Sequence, residues 1–483
     1  MNNLKREFLS GTLYTGLAKY AGLLVSIIVS AILARLVAPS DFGVVAISSI
    51  FINFFSTLTT VGISPAIVQN KTISEEDLKE INTFTFVVAF SLTFIFLACV
   101  PLITDFYGDG GILKNVLVLL AVSVFFSIAA IVPNAMLLKH KNFKFIAVRT
   151  FCLQVIFGII SVIGAFSGMG IYALLISPIG TSISLFVVNF KKHPIGFSKP
   201  GKRSIDKIFS FSIYQMLFNL IYLLYRNIDK LILGRTFGMA NLGYYEKSYR
   251  LMMLPVENLS GVMSPVLHPI LSEYQDQKGY LWEVYKKMFT LLSEICFLIS
   301  VVLFFLAEPI ILMLYGEKWE PSIPIFQVLA LSVCFQLLQT PIGAFFQAVN
   351  RVKDLMWSSL YIFVMMLVCI SISVIMDDFA MFPPMVVVAF LLGMLVYEFY
   401  ICRAYQKHIG ELLFILLPHV VMAFILFGVL YIVNIVTATF PLTMRTSIIM
   451  IVSFVYFLLL VSTNRISNTK EILLKTINKT RQA

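Results

Sequence analysis

Two stretches of the chain, ILARLVAPSDFG at 32–43 and ILGRTFGMANLG at 232–243, align without a gap at an offset of 200 residues. Ile32, Leu33, Arg35 and Gly43 match Ile232, Leu233, Arg235 and Gly243, and further along the same frame Ser64-Pro65 matches Ser264-Pro265. Apolar identities arise easily in a sequence rich in them, whereas an Arg, a Gly and a Ser-Pro in one frame do not. A second block, at an offset of 208, pairs Tyr107-Gly108 and Pro133 with Tyr315-Gly316 and Pro341. The chain therefore reads as two copies of one structural unit.

That unit is membrane-embedded. Of 483 residues, 59% are hydrophobic and 13% charged, against about 45–50% and about 25% in soluble domains. At about 20 apolar residues per crossing, there is enough for about fourteen helices and little else. Apolar runs place them at 11–37, 42–68, 81–104, 113–138, 147–167, 170–190, 208–233, 244–271, 288–314, 321–348, 355–376, 380–400, 412–436 and 442–463. The expected fold is all-α and polytopic, with two parallel six-helix repeats and two extra C-terminal helices. Its segments are an N-terminal lobe at 1–190, a basic linker at 191–207, a second lobe at 208–400, helices 13 and 14 at 401–463 and a tail at 464–483. The six cysteines are scattered without a CxxC pair, which points to packing and not to disulfides or metal.

An even number of spans puts both termini on one side. Of the 36 Lys and Arg, 26 fall in the loops and tails on that side, five in the opposite loops and five inside spans. Basic residues are retained in the cytoplasm, so both termini are expected there, and the net charge of +11 follows from topology without any nucleic acid. The densest basic stretch, KKHPIGFSKPGKRSIDK at 191–207, reads as a linker lying on an anionic membrane face. The loops are too short for a folded catalytic domain, and no P-loop, HExxH or GxSxG pattern is present.

Polar side chains three or four apart on a membrane helix share one face and turn away from lipid. Span 1 carries Thr12, Thr15, Lys19, Gly22, Ser26 and Ser30 in this way, and span 2 carries Asn53 among serines and threonines. Their repeat-equivalents hold Asn219, Arg226, Asp229 and Lys230 in span 7, and Glu246, Arg250 and Glu257 in span 8. Four helices related by the repeat thus present a polar face, expected to line a central cleft. Lys or Arg deep in a span costs about 2.5–3.5 kcal/mol on insertion scales, so Lys19, Arg226 and Arg250 require a partner or a ligand. Internal pairing is one answer: Asp229 with Arg226 or Lys230, and Glu246 with Arg250. A phosphate-bearing substrate is the other, and Lys19, with no acid on its own helix, favours it. Arg35 and Arg235 read as helix-end residues beside turns.

The segments GTLYTGLAKYAGLLVSIIVSAILARLVAPSDFGVVAI (11–47), RNIDKLILGRTFGMANLGYYEKSYRLMMLPVENLSGVMSPVLHPIL (226–271) and LYGEKWEPSIPIFQVLAL (314–331) resemble the bacterial polysaccharide flippases of the colanic-acid exporter type. These belong to the multidrug/oligosaccharidyl-lipid/polysaccharide exporter superfamily. The resemblance implies two lobes that alternate access and move a polyprenyl-diphosphate-linked oligosaccharide from the cytoplasmic to the outer leaflet of the inner membrane. Lys19, Arg226, Lys230 and Arg250 would face the diphosphate, with Asn53, Asn219, Asp229, Glu246 and Glu257 lining the cleft. No cofactor is expected beyond a coupling ion, H+ or Na+. The expected partners are membrane lipids, the lipid-linked glycan and the polymerase or glycosyltransferase machinery. A cation-coupled drug exporter shares the architecture, and a membrane polysaccharide polymerase or ligase is a weaker alternative; a non-enzymatic transporter is the expectation.

Overall fold

A computed structural model of the chain describes residues 2–70, 72–108, 111–199, 201, 221 and 223–462. The regular elements among the described residues are all helices, with no strand among them. They divide into two compact units, 1–246 and 247–483.

The first unit holds α1 (Asn2–Leu36), α2 (Pro39–Gln69), α3 (Glu75–Tyr107), α4 (Ile112–Ala129), α5 (Ile131–Lys139), α6 (Phe143–Phe166), α7 (Ile171–Lys192), α8 (Ile228–Thr236) and the start of α9 (Gly238–Ser272). Its core is α4, where Leu113, Val116, Leu117, Val124 and Ile128 are fully buried among α2, α3 and α7. Helix α1 packs along α6, and Gly22 is the point of closest approach, since its carbonyl accepts a hydrogen bond from Gln154 Nε2 at 2.8 Å. Gly22 is therefore part of a helix–helix seam and not of an open polar face. A capping box starts α3: the Ser74 hydroxyl accepts from the Asp77 amide while Asp77 Oδ2 accepts from the Ser74 amide. The linker continues that packing. Asn82 Nδ2 donates to the Ile195 carbonyl, the Ser198 amide donates to Thr83 Oγ1, and the Gly201 amide donates to Glu80 Oε2. Ile195, Ser198 and Gly201 are thus seated on α3.

The second unit holds the rest of α9, then α10 (Lys278–Phe305), α11 (Ala307–Tyr315), α12 (Ser322–Ala330), α13 (Val333–Leu338), α14 (Ile342–Ala348), α15 (Val352–Ile375), α16 (Phe382–Tyr405), α17 (Ile409–Val436) and α18 (Leu442–Ser462). Helix α9 runs beside the broken helices α12 to α14, joined by Ser248 Oγ to the Ser322 carbonyl at 3.0 Å and by Ser260 to Thr340 at 3.1 Å. The two extra helices dock on α10 through Val301, Phe305, Leu426, Leu430 and Ile449. Arg445 of α18 adds an ion pair with Glu308 of α11 at 3.0 Å.

Eleven helices among the described residues are long and apolar enough to cross a membrane, or twelve if the pair Ser322–Ala330 and Val333–Ala348, bent by 42°, counts as one broken span. The sequence leads one to expect fourteen. The remaining two are the seventh, of which 208–220 lies outside the described residues, and the eighth. The eighth exists as α9 at full length, but Glu246, Lys247, Arg250 and Glu257 make it too polar to qualify on composition.

The repeat is visible as matched punctuation. Gly108 ends α3 with φ +67°, and its counterpart Gly316 follows α11 with φ +87°, a region that favours glycine. The fourth span of each copy is interrupted near the matched prolines: α4 gives way to α5 two residues before Pro133, and α13 ends just before Pro341, the residue that precedes α14. The opening turns of α2 and α9 also touch reciprocally. A Cβ on Gly43 would lie 2.0 Å from the Met239 carbonyl oxygen, and one on Gly243 would lie 1.9 Å from that of Pro39. Since Pro39 and Met239 are themselves equivalent at the offset of 200, each copy offers the same glycine to the same carbonyl of the other. Such backbone proximity is what small residues at membrane helix crossings permit.

Candidate functional site

The ionisable residues of the seventh span gather at a break in its helix. Helical residues 223–225 give way to a turn at Arg226-Asn227, and α8 starts at Ile228. The turn is held by Asn227 Nδ2 donating to the Leu223 carbonyl at 2.8 Å. Interrupted helices of this kind free backbone groups inside the membrane, and in transporters they mark places where a charged ligand is held. Arg226 sits at the break and is half-buried.

One turn further on, Asp229 and Lys230 are buried. Their partners come from α9, which folds back after a turn at Phe237-Gly238, where Gly238 has φ +85°. The Tyr245 hydroxyl donates to Asp229 Oδ2 at 2.6 Å, and Lys230 Nζ lies 2.6 Å from Glu246 Oε2. Asp229 Oδ1 is buried with no hydrogen-bond partner among the described residues. Lys230 is thus ion-paired with Glu246 of the next helix, a pairing that spacing along its own helix does not offer. The side chains of this pair are only 10% and 24% exposed, so Lys230 enters the site as half of an ion pair.

The other candidates are distributed more widely. Lys19 and Asn53 are exposed on α1 and α2 in the first unit; Arg250 and Glu257 are exposed on α9 in the second. Asn219 and the side chains of Thr12 and Thr15 lie outside the described residues. The structure thus brings together Asp229, Lys230 and Glu246, with Arg226 at the adjoining break.

Two buried cations escape the sequence reading. Lys247, 3% exposed, places its ammonium 5.1 Å from the Tyr315 ring centre and 5.9 Å from that of Trp319. The LYGEKW segment that supplies both rings was the available signal. Arg149, counted by sequence among the loop cations, is 9% exposed. Its guanidinium donates to Asn189 Oδ1 and, at 3.4 Å, to Asn134 Oδ1, joining α6, α7 and α5. Nearby, the His140 and His193 rings lie 5.0 Å apart. Glu398 accepts from the Tyr285 hydroxyl at 2.7 Å and ties α16 to α10.

These features define a multi-pass helical membrane protein with a polar constellation at a broken span. Among solved structures it is similar to the lipid II flippase MurJ in an inward closed conformation, with TM-score 0.74 and 14% identity over 93% of this chain and 98% of that one. It is also similar to an inward-facing multidrug resistance transporter of the MATE family, of the MOP superfamily, with TM-score 0.63 and 15% identity over 80% and 96% of the two chains. Residues 32–324 match the family described as polysaccharide biosynthesis protein, and the chain belongs to that family. Its curated relatives include an uncharacterised membrane protein of the cps region of Klebsiella pneumoniae, 27% identical over 73% of each chain. The teichuronic acid biosynthesis protein TuaB of Bacillus subtilis is 25% identical over 73% of each, and the lipopolysaccharide biosynthesis protein WzxC of Escherichia coli is 23% identical over 72% of each.

Proposed function

We propose that the protein is a flippase that carries a polyprenyl-diphosphate-linked oligosaccharide from the cytoplasmic to the outer leaflet of a bacterial inner membrane, with both termini in the cytoplasm. The observation that carries this reading is the break in the seventh span, which holds Arg226 beside the buried Asp229–Lys230–Glu246 constellation. Family membership supports it, as do relatives named for teichuronic acid, lipopolysaccharide and succinoglycan biosynthesis.

In this mechanism the lipid tail stays in the bilayer while the sugar-diphosphate head enters a hydrated cleft. Arg226 presents a planar fork to the diphosphate, Lys19 and Arg250 add point charge and a second fork, and Lys230 contributes when its pair with Glu246 opens. Asn53 and Glu257 would line the path of the sugars. The lobes then rock, and the head is released on the far side. Asp229, with one carboxylate oxygen lacking a partner, is where a coupling ion, H+ or Na+, would bind. The chain acts as a transporter and not as an enzyme, delivering its cargo to polymerase or glycosyltransferase partners.

Reconstitution in vesicles with a fluorescent polyprenyl-diphosphate oligosaccharide tests this directly. Wild-type protein is expected to expose the head group to an external quencher or glycosidase, and Arg226→Ala and Lys19→Ala to block exposure while inserting normally. Unchanged translocation in both variants would remove the proposed binding site, and drug efflux without lipid translocation would favour the exporter reading.

A further inference from the structure

A cavity of about 770 Å³ lies in the first unit between α2, α3 and α8, and none of Asp229, Lys230 and Glu246 lines it. Its walls are Ile50 to Phe55 of α2, Cys99 to Tyr107 of α3, and Leu223 to Thr236 of α8 and the turn before it. Nearly all the lining is aliphatic or aromatic. The polar atoms at its margin are already engaged: the Tyr107 hydroxyl donates to the Leu231 carbonyl at 3.1 Å, and the Thr236 hydroxyl donates to the Ile232 carbonyl at 2.9 Å. A cavity with such walls gives water no partners, and within a bilayer it is filled by hydrocarbon. Leu102 and Phe106, 70% and 57% exposed, stand at its open side. Its long wall, α8, has nine residues and is about 13 Å long, close to the roughly 15 Å depth of hydrocarbon in one leaflet.

Among the described residues, one charged residue belongs to this lining, Arg235, in the last turn of α8. Its guanidinium carbon lies 5.5 Å from the centre of the Phe106 ring, which fixes the cation at the cavity rim. Topology does not call for a cation there, because the loops on that side hold five of the 36 basic residues. We infer that the cavity binds one acyl chain of an anionic phospholipid whose phosphodiester is held by Arg235. A single guanidinium matches the single charge of a phosphodiester. None of Lys19, Arg226 or Arg250, which the transport reading gives to the diphosphate, lines the cavity. The inference needs only the membrane-embedded fold, so its failure leaves the transport reading standing.

Native mass spectrometry of the purified full-length protein tests it, with phosphatidylglycerol and phosphatidylcholine as probes. Wild-type protein should retain phosphatidylglycerol in preference to phosphatidylcholine. Arg235→Gln should bind phosphatidylglycerol at least about tenfold more weakly, the loss of one hydrogen bond to a charged group, while Arg235→Lys keeps part of the preference. Leu102→Trp, a change at an exposed position of the opening, should weaken both lipids and provides a second variant should Arg235→Gln fold poorly. Equal retention of the two lipids by wild type, or undiminished phosphatidylglycerol binding by Arg235→Gln, would overturn the inference. Displacement of phosphatidylglycerol by an equal concentration of polyprenyl phosphate would also overturn it and assign the cavity to the transported lipid.

Discussion

Gly43 and Gly243 offer the sharpest perturbation in the molecule. Alanine at 243 would place its methyl carbon 1.9 Å from the Pro39 carbonyl oxygen, and alanine at 43 would place its own 2.0 Å from that of Met239. Ordinary contact begins near 3.4 Å, so either change forces the two opening turns apart by roughly 1.5 Å. The obstructing atoms are backbone, which no rotamer change relieves, and the cost should lie at or above the upper end of the about 1–3 kcal/mol usual for overpacking. Both substitutions push the same two segments apart, so the double variant should cost clearly less than the sum of the singles. Gly428→Ala serves as control, since a Cβ there meets nothing within 4 Å. Alanine in that helix interior should be neutral or stabilising by up to about 1 kcal/mol. Thermal unfolding of the five purified proteins, wild type and four variants, followed by tryptophan fluorescence, measures the comparison. If Gly43→Ala and Gly243→Ala both unfold with the wild type, the turns do not press on one another and the reasoning is wrong.

Three further outcomes follow from the geometry. Glu246→Gln removes the carboxylate 2.6 Å from the largely buried Lys230 ammonium and should destabilise by about 1.5–3 kcal/mol, the range for a hydrogen bond to a charged group; a variant that unfolds with the wild type would contradict this. Gly108→Ala should cost about 1–2 kcal/mol from its φ of +67° alone, since no atom crowds the site, and Gly108→Asn should cost less. Burial, together with the charges of His140 and Lys192, holds the His193 imidazole below its usual 6.5. Because the folded state then binds fewer protons than the unfolded one, the stability carried by neutral His193 is complete above pH 6.5 and is lost as the pH falls toward the folded value. Acidification from about pH 7.5 to about 5.5 should therefore lower the unfolding temperature more in wild type than in His193→Asn.

Much of this architecture is legible in the sequence because membrane helices are punctuated by few residue types. A glycine that ends a helix with positive φ, as at 108 and 316, or a proline beside a break, as at 133 and 341, performs a backbone task that other side chains do poorly, so it marks the same place in both copies. Charge pairing is less legible. Lys230 pairs with Glu246, sixteen residues on, because the turn at Phe237-Gly238 returns the chain and sets the start of α9 against α8. Local spacing carries no trace of that return. Arg149 was hidden for a related reason: it follows a lysine-rich loop, and its burial appears only when α5, α6 and α7 bring Asn134 and Asn189 to it. The eighth span shows the converse: its apolar run at 244–271 is legible in the sequence and is a helix in the structure, Gly238–Ser272, in spite of its charges.

The reciprocal crossing also bears on how such a chain arose. A contact in which each of two equivalent segments gives the same glycine to the same carbonyl of the other is isologous. It can be made by two separate copies of one half-length protein as readily as by one fused chain. A single-lobe ancestor would have possessed it as a homodimer, with any change at that glycine counted twice. In one chain the two positions are free of identity, and Ala38-Pro39-Ser40-Asp41 differs from Gly238-Met239-Ala240-Asn241. The glycines have not moved apart in kind, because at that distance neither segment can accept a side chain from the other.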